Sequence, residues 1–390
     1  MAKQSNYYEQ TYKAPWKGIH SQLPETEIPA ENAVVARNVF LRKGELRSRP
    51  RFKQVLPPLP NGDVATCNIS FVDGNNVVHT CAMTNKGMLQ LNANWRSNKK
   101  QAWNLIGLYP NKYIPSLGIP IQAQVFLNRL YFVDASPNLW SWDGMSSPTI
   151  ANPNVLQSIA VIKQSAPQLT AGAYFLGELD SRLLMFNTVE QLSATSFTNF
   201  QQRIRWCASG LPNQWDPSVN LGAGFNDELD VPDAITGFMA IGRTGFVFRV
   251  NGITEMFPIT KGLLPFDFNH MWASERGIGN VYAYSISSFG PIGVFISVDD
   301  IYNLSMNSFE KISGDCKDAI FNDLAAATSS PIATLMPNYS QAITYISYLL
   351  CIPVGRDTRL WMYSFDDKSW VDWTFKDTIF TSKFRTVATT

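Results

Sequence analysis

Six groups of strand-forming residues, five of them folded back at a turn of Gly, Asn, Asp or Arg, recur along the chain at a nearly even spacing, and nothing else in the sequence constrains the fold as much. The hairpin turns are expected near residues 75, 128, 180, 243, 291 and 349. The interval of roughly 50–60 residues is close to what a four-stranded propeller blade needs. Each group carries two or three short apolar or alternating runs, such as Val64–Val72 into Val77–Thr84, or Gln122–Leu127 into Leu130–Ala135. In the fifth group Val281–Ser287 reads as the first strand, and in the sixth Ile343–Ile352 does. Helical periodicity is nearly absent after about residue 60. The expected fold is therefore all-β: a β-propeller of six blades with an N-terminal arm and hairpin. A pair of irregular β-sandwiches is the alternative. Closure favours the propeller, because a chain with 13% aromatic residues needs few open strand edges.

Three groups carry an aromatic element before a turn: Leu139-Trp-Ser-Trp-Asp-Gly, Ile301-Tyr-Asn-Leu and Leu360-Trp-Met-Tyr-Ser-Phe-Asp. Such residues are expected to pack one blade against the next. Residues 54–62 are rich in Pro and Gly and mark a boundary. The chain thus divides into an arm, 1–60, which completes the propeller or contacts neighbours, and a propeller body, 61–390.

Charge follows the same division. Residues 1–53 hold ten Lys or Arg and five Glu, a net +5. The whole chain of 390 residues is +1, so 54–390 is −4. That balance argues against a surface that binds nucleic acid throughout. No run reaches the ~18 apolar residues of a membrane span. The N-terminus lacks an apolar leader core, so cytosolic assembly is expected. The five cysteines (Cys67, Cys81, Cys207, Cys316, Cys351) form no CxxC and read as small buried hydrophobes; Cys67 and Cys81 flank one hairpin.

Catalytic chemistry is thinly represented. His20, His79 and His270 show no zinc spacing, and no GxSxG, P-loop or GxGxxG occurs. Gly277-Ile-Gly-Asn imitates a dinucleotide fingerprint but lacks the third glycine and a following helix. A glycosidase would need two carboxylates about 5–10 Å apart. The candidates are Asp227, Glu228, Asp230 and Asp233, the pair Asp299-Asp300, and the pair Asp366-Asp367. Turn chemistry accounts for both pairs and a solvated loop for the first cluster. The cluster does not match an EF-hand calcium loop. Asp366-Asp-Lys-Ser-Trp370 echoes the sialidase Asp box and kelch-type blades only faintly. No catalytic residue, cofactor or metal is expected.

The arm is the most informative segment. Pro29–Ala36 reads as a short helical turn, Asn38–Leu41 as a strand, Lys43-Gly44 as a turn and Leu46–Arg49 as the return strand. Basic and apolar residues alternate, which makes one face a row of cations. They are either a solvated face or a docking surface for an acidic partner or a DNA backbone.

The string running from Pro29 and Glu31 through Ala33-Val-Val-Ala-Arg37-Asn38-Val39 and Gly44 to Leu46-Arg47-Ser-Arg49-Pro50-Arg51-Phe52 resembles the opening of the β-propeller tail proteins of tailed bacteriophages. These are the tail-hub, or packaged-DNA stabilisation, proteins of short-tailed phages and the related nozzle proteins. Arg203-Ile-Arg-Trp206 with Gly210-Leu-Pro212-Asn-Gln-Trp215 is similar to a second string of that family. So are the strands around 234–248 with Ile253-Thr-Glu255, and Gly277-Ile-Gly279 with Gly293–Tyr302; Asp300 stands where the family has Gly. The resemblance implies a non-enzymatic virion protein, assembled in the host cytoplasm. Copies, commonly six, would form a ring below the portal and its adaptor, continue the DNA channel and retain packaged DNA. Arg37, Arg42, Lys43, Arg47, Arg49 and Arg51 would then face a neighbouring subunit, the adaptor or the channel. The alternatives are a carbohydrate-binding or glycoside-cleaving propeller and a scaffold for other protein partners.

Overall fold

A computed structural model describes residues 17–20, 22–23, 27, 32–33, 39–42, 45–48, 56–97, 101–109, 120–149, 154–227, 232–259, 264–271, 276–306, 308–340, 343–376 and 383–386. For residues 18, 40–42, 45–48, 337–340, 343–345 and 383–386 the description is of the backbone alone. The chain forms a six-bladed β-propeller. Blade 1 comprises Ala65–Val72, Val78–Thr84, Gly87–Leu91 and Trp103–Leu108; blade 2, Gln122–Phe126, Arg129–Val133, Leu139–Trp142 and Gln157–Ser158. Blade 3 comprises Leu169–Leu179, Arg182–Gln191, Phe197–Trp206 and Gly224–Asp227, with the short strand Val161–Lys163 beside the first. Blade 4 comprises Ile235–Ile241, Thr244–Arg249, Ile253–Pro258 and Phe266–His270. Blade 5 comprises Ser287–Phe289, Ile292–Ile296, Ile301–Ser305 and Ser308–Lys311; blade 6, Ile332–Ser340, Ile343–Val354, Asp357–Ser364 and Ser369–Phe375.

The circle closes with the end of the chain. Lys383–Thr386 pairs in parallel with Cys67–Ser70 of blade 1 and also touches the first strand of blade 6. First strands of successive blades contact one another from blade 1 to blade 6, and Lys383–Thr386 bridges blade 6 to blade 1, so the inner wall is continuous.

Packing between blades is what makes the fold one body. Strand side chains alternate between two faces, and here both faces of a blade are apolar because each meets a neighbour. Five core clusters are each shared by two consecutive blades. Ile69, Phe71 and Met83 of blade 1 meet Phe132, Trp140 and Trp142 of blade 2. The same arrangement joins blades 2 and 3, 3 and 4, 4 and 5, and 5 and 6. Each fully buried Leu, Ile or Phe contributes about 1.5–3 kcal/mol relative to exposure. The aromatic elements act as expected: Trp140, Trp142, Tyr302, Trp361 and Tyr363 all lie in layers between blades. The polar tips of Trp140, Trp142, Tyr302 and Trp361 are satisfied, as with Trp142 Nε1 donating to Ser146 O at 2.9 Å.

Two close approaches require glycine. A Cβ at Gly177 of blade 3 would lie 2.4 Å from the ring of Phe238 of blade 4. That ring stacks on Phe186 with centroids 4.4 Å apart. A Cβ at Gly144 would lie 2.8 Å from Asp73 Cβ.

Two described strands of the arm, Gly18–Ile19 and Val39–Arg42, lie against the last strand of blade 6. Gly18–Ile19 pairs in parallel with Asn32–Ala33, and Ile19 is buried in the layer between blades 5 and 6. Cys316 Sγ donates to Ile19 O at 3.1 Å. The hairpin Val39–Arg42 with Glu45–Ser48 forms as expected. Val39 packs on Leu360, Met362, Val371 and Trp373, the face of blade 6 turned towards blade 1, and accepts a hydrogen bond from Trp373 Nε1.

Three local expectations are corrected. Asn32–Ala33 is a strand, so the helical turn expected over Pro29–Ala36 does not form there; a backbone bridge to Gly18–Ile19 takes its place. Val281–Ser287 is not a strand: residues 281–286 run as turns anchored by buried Asn280 and Ser285, and blade 5 begins at Ser287. Ile343–Val354 is the second strand of blade 6, not its first; Ile332–Ser340 precedes it and turns without any Gly or charged residue to mark the place. The one described α-helix, Lys317–Ala325, links blades 5 and 6 and buries Ile320 and Leu324 against them.

Candidate functional site

One recess of about 360 Å³ is built from the ends of strands in four blades. Gln124 comes from blade 2, Glu178 and Asp180 from blade 3, Phe238 and Arg243 from blade 4 and Ser288 from blade 5. Contributions from inner strands of that many blades locate it at a mouth of the central channel. Two carboxylates share it, and each is already engaged. Gln124 Nε2 donates to Glu178 at 3.2 Å. Asp180 accepts from Arg182 at 3.0 Å and lies 3.8 Å from Arg243. The sequence reading missed this pair, because Glu178 ends an apolar strand and Asp180 reads as turn chemistry.

A second recess, of about 410 Å³, opens at the rim where the loop entering blade 5 passes its outer strands. Arg276, Gly277, Ile278, Val298, Asp299, Tyr302, Phe309 and Lys311 line it. Asp299 Oδ2 accepts from Tyr302 Oη at 2.8 Å and from Lys311 Nζ at 3.0 Å. Burial works to raise the Asp299 carboxyl, but the hydrogen bonds from Lys311 and Tyr302 and the Lys311 charge hold it below the ordinary carboxylate value. The Tyr302 hydroxyl is pushed up to about 12, first by burial and then by donating to Asp299. The recess therefore presents a fixed carboxylate, two cations and an aromatic wall. Such a surface can bind a polar or acidic ligand; it has no second carboxylate placed for acid–base work. Asp300, paired with Asp299 in sequence, is buried behind it: Oδ1 accepts from the Ile301 amide at 2.8 Å and from Ser313 Oγ, and Oδ2 lies 3.9 Å from Lys311 Nζ.

The Arg203–Trp206 string has a different destiny. Arg203 grips Asp227 bidentately at 2.7 and 2.7 Å and reaches Glu190 at 3.1 Å. Arg205 holds both oxygens of Glu190, at 3.0 and 2.9 Å. The Arg203 guanidinium stacks on Phe200 and Phe225, 3.8 and 4.3 Å from the ring centroids. Trp206 and Trp215 are buried in the layers on opposite sides of blade 3. The motif fastens the outer strands of blade 3 together rather than forming a concave site.

The other predicted residues divide as follows. Arg37, Lys43, Arg49 and Arg51 lie outside the described residues, as do Glu228 and Asp230. Arg42 and Arg47 are described in backbone only: Arg42 stands opposite Glu45 and Arg47 opposite Phe40, positions alternate to Val39. Asp227 is taken by Arg203, and Asp233 accepts from Asn251 at 2.7 Å. Asp367 accepts from Ser364 within its turn. All five cysteines are free thiols; Cys67 and Cys81 sit on adjacent strands in one core layer. His79 is buried, with Nε2 2.9 Å from Asp73 Oδ2 and Gln90 Nε2 2.7 Å from Nδ1. Gln90 can only donate there, so Nε2 is the donor to Asp73, a structural pin under Trp142. Gly279 is packed beneath Arg249 O and Val250 O and opens no helix, unlike a dinucleotide site. Among the described residues no group of three His, Cys, Asp or Glu could hold a metal ion.

No family model matches the chain, and no curated protein sequence does. Solved structures do match in fold. A CNH domain, of AfRom2, is 11% identical over 81% of this chain and 86% of its own, with a TM-score of 0.41. A fungal lectin from Aleuria aurantia, a six-bladed β-propeller that recognises fucose, is 13% identical over 80% and 96%, with a TM-score of 0.33. A variant of that lectin with α-methyl-L-fucoside is 15% identical over 80% and 95%, at 0.35. These are likenesses of fold alone.

Proposed function

We propose that this chain is a non-enzymatic structural propeller, a hub or nozzle subunit of the tail of a short-tailed bacteriophage. Its role would be to stand with like copies below the portal and adaptor, extend the DNA channel and help retain packaged DNA. One observation carries the reading: both strings that resemble the tail-protein family go into rim architecture. The described parts of the arm string lie along blade 6, where Val39 is packed into the body and Ala33 lies against the layer between blades 5 and 6. The Arg/Trp string fastens the outer strands of blade 3. Residues shared with an enzyme family would instead be expected to converge on a cavity. Native mass measurement of the purified full-length chain, alone and mixed with portal and adaptor, tests this. A closed homo-oligomer, or co-assembly with those rings, is the expected result. A chain that stays monomeric at every concentration and ignores both rings overturns it.

A second reading, glycan binding, is favoured by the rim recess, whose fixed carboxylate, two cations and aromatic wall suit a polar or acidic sugar. Binding to a glycan array that is lost on Lys311→Met, without a change in stability, would support it.

A further inference from the structure

The rim recess of blade 5 is built around an ion pair that is already closed. Asp299 Oδ2 and Lys311 Nζ stand 3.0 Å apart, and Tyr302 Oη donates to the same carboxylate oxygen at 2.8 Å. Asp300, behind them, keeps an oxygen 3.9 Å from the ammonium. Asp299 and Lys311 nevertheless remain part-exposed in the recess they line, at 42% and 56% of their side chains.

A charged ligand is poorly served by that arrangement. An acid must draw Lys311 away from Asp299 in the face of two carboxylates. A cation must draw Asp299 away from Lys311, with Arg276 lining the same recess. A neutral ligand leaves the pair intact and uses the bonds left over. An ammonium has N–H groups beyond the one given to Asp299, and a carboxylate has lone pairs beyond those that Oδ2 uses.

The spacing selects among neutral ligands. An acceptor and a donor 3.0 Å apart suit two hydroxyls on neighbouring carbons, the first donating to Asp299 and the second accepting from Lys311. Beside the pair stand apolar groups: Ile278 and Phe309 are half-buried and Val298 is 68% exposed. They offer contact to the carbon face of the same molecule. The volume, about 410 Å³, falls within the roughly 300–1,000 Å³ of small-ligand pockets. Polar groups that hold one another in place before binding lower its entropic cost.

We infer that the rim recess takes a neutral sugar with adjacent hydroxyls: Asp299 accepts from one hydroxyl, Lys311 donates to its neighbour, and Phe309 with Ile278 covers the carbon face. The inference rests on the glycan reading above, narrows it from polar or acidic sugars to neutral ones, and is independent of the ring reading.

Ligand-observed NMR on the full-length chain tests it. The neutral probes are the methyl glycosides of glucose, galactose, mannose and fucose; the acidic ones are methyl glucuronide and methyl galacturonide. At least one neutral glycoside should bind, with an affinity that holds between about 50 and 500 mM NaCl because no net charge is screened. Both uronides should bind roughly tenfold more weakly or worse. D299A and K311M should each lose roughly tenfold or more for the neutral probe. The pair is part-exposed, so the fold survives both changes, which melting curves check. Uronides bound in preference, with an affinity that falls as salt rises, overturn the inference and leave the glycan reading standing. So does a neutral glycoside bound equally by wild type, D299A and K311M, since the site then lies elsewhere. No binding of either class removes both.

Discussion

Replacing Glu190 by Gln isolates the one buried charge cluster that the Arg/Trp motif depends on. Glu190 and Arg205 are 4% and 5% exposed in their side chains, and Arg203 12%. The carboxylate takes two bonds from Arg205, one from Arg203 and one from Thr188. Gln keeps a single acceptor and turns an NH₂ group towards a guanidinium, so at least one donor pair meets donor. Arg203 retains Asp227; Arg205 has no second carboxylate within its bonds. Stranding a buried charge in this way costs about 3–5 kcal/mol. Unfolding entropy is about 2.1 cal/mol/K per residue, which for a chain this long gives about 0.8 kcal/mol/K and a fall in melting temperature of about 4–6 °C. Urea titration followed by tryptophan fluorescence, with calorimetry, reads both quantities. The double variant Glu190→Gln/Arg205→Met removes the stranded charge and should recover most of the loss. Breaking the exposed Lys368–Glu310 pair by Glu310→Gln should cost under about 1 kcal/mol. A Glu190→Gln protein within about 0.5 kcal/mol of wild type, or a double variant no better than the single, would refute the reasoning.

Three further outcomes follow from the packing and the titrating groups. Gly177→Ala should destabilise by about 1–3 kcal/mol, because the Phe238 ring it meets is already backed by Phe186. Gly74→Ala, with open space at its Cβ, should stay within about 0.5 kcal/mol on the same urea curves. The Asp73 carboxyl is held low, first by its bond with His79 and then by the Val77 and Asn75 amides, against some opposing effect of burial. A depressed carboxyl contributes stability in full above its ordinary value near 3.8 and loses it as pH falls through the lowered one. The acid limb of a pH–stability profile below pH 4 should therefore flatten in Asp73→Asn. Burial pushes the Cys207 thiol up to about 11 and that of Cys351 to about 12, and raises Cys81 and Cys316 further. Native protein at pH 7.5 should thus react slowly with an aromatic disulfide reagent, half-buried Cys351 first, and all five thiols should react at once in denaturant.

Which parts of this molecule could be read from its sequence depends on how locally each was encoded. Five of the six blades were legible because a positive-φ residue or a polar turn sits between two apolar runs, as at Leu127-Asn128, Asp180-Ser181 and Gly242. Blade 6 was offset by one strand because Ser340↔Ile343 closes a hairpin within an uncharged stretch where turn and strand have the same composition. The strand expected at Val281–Ser287 failed for the opposite reason. Its alternation is real, but buried Asn280 captures Ser285 Oγ, donates to Tyr282 O and turns the backbone before a ladder can start. The recesses were harder still. Asp180 meets Arg243, and Glu178 shares their recess, only through the curvature of the inner wall; Arg276 joins Asp299 in lining the rim recess across a loop. Such meetings follow from closure of the ring, and closure hangs on contacts of the highest sequence separation: Lys383–Thr386 on Cys67–Ser70, and Trp373 on Val39. Local pattern therefore specifies the blades, and only the joining of the two chain ends specifies the concave surfaces between them. For that reason the strings near the ends and at the rim, rather than any cavity, are where a function built on shape would leave its mark in this sequence.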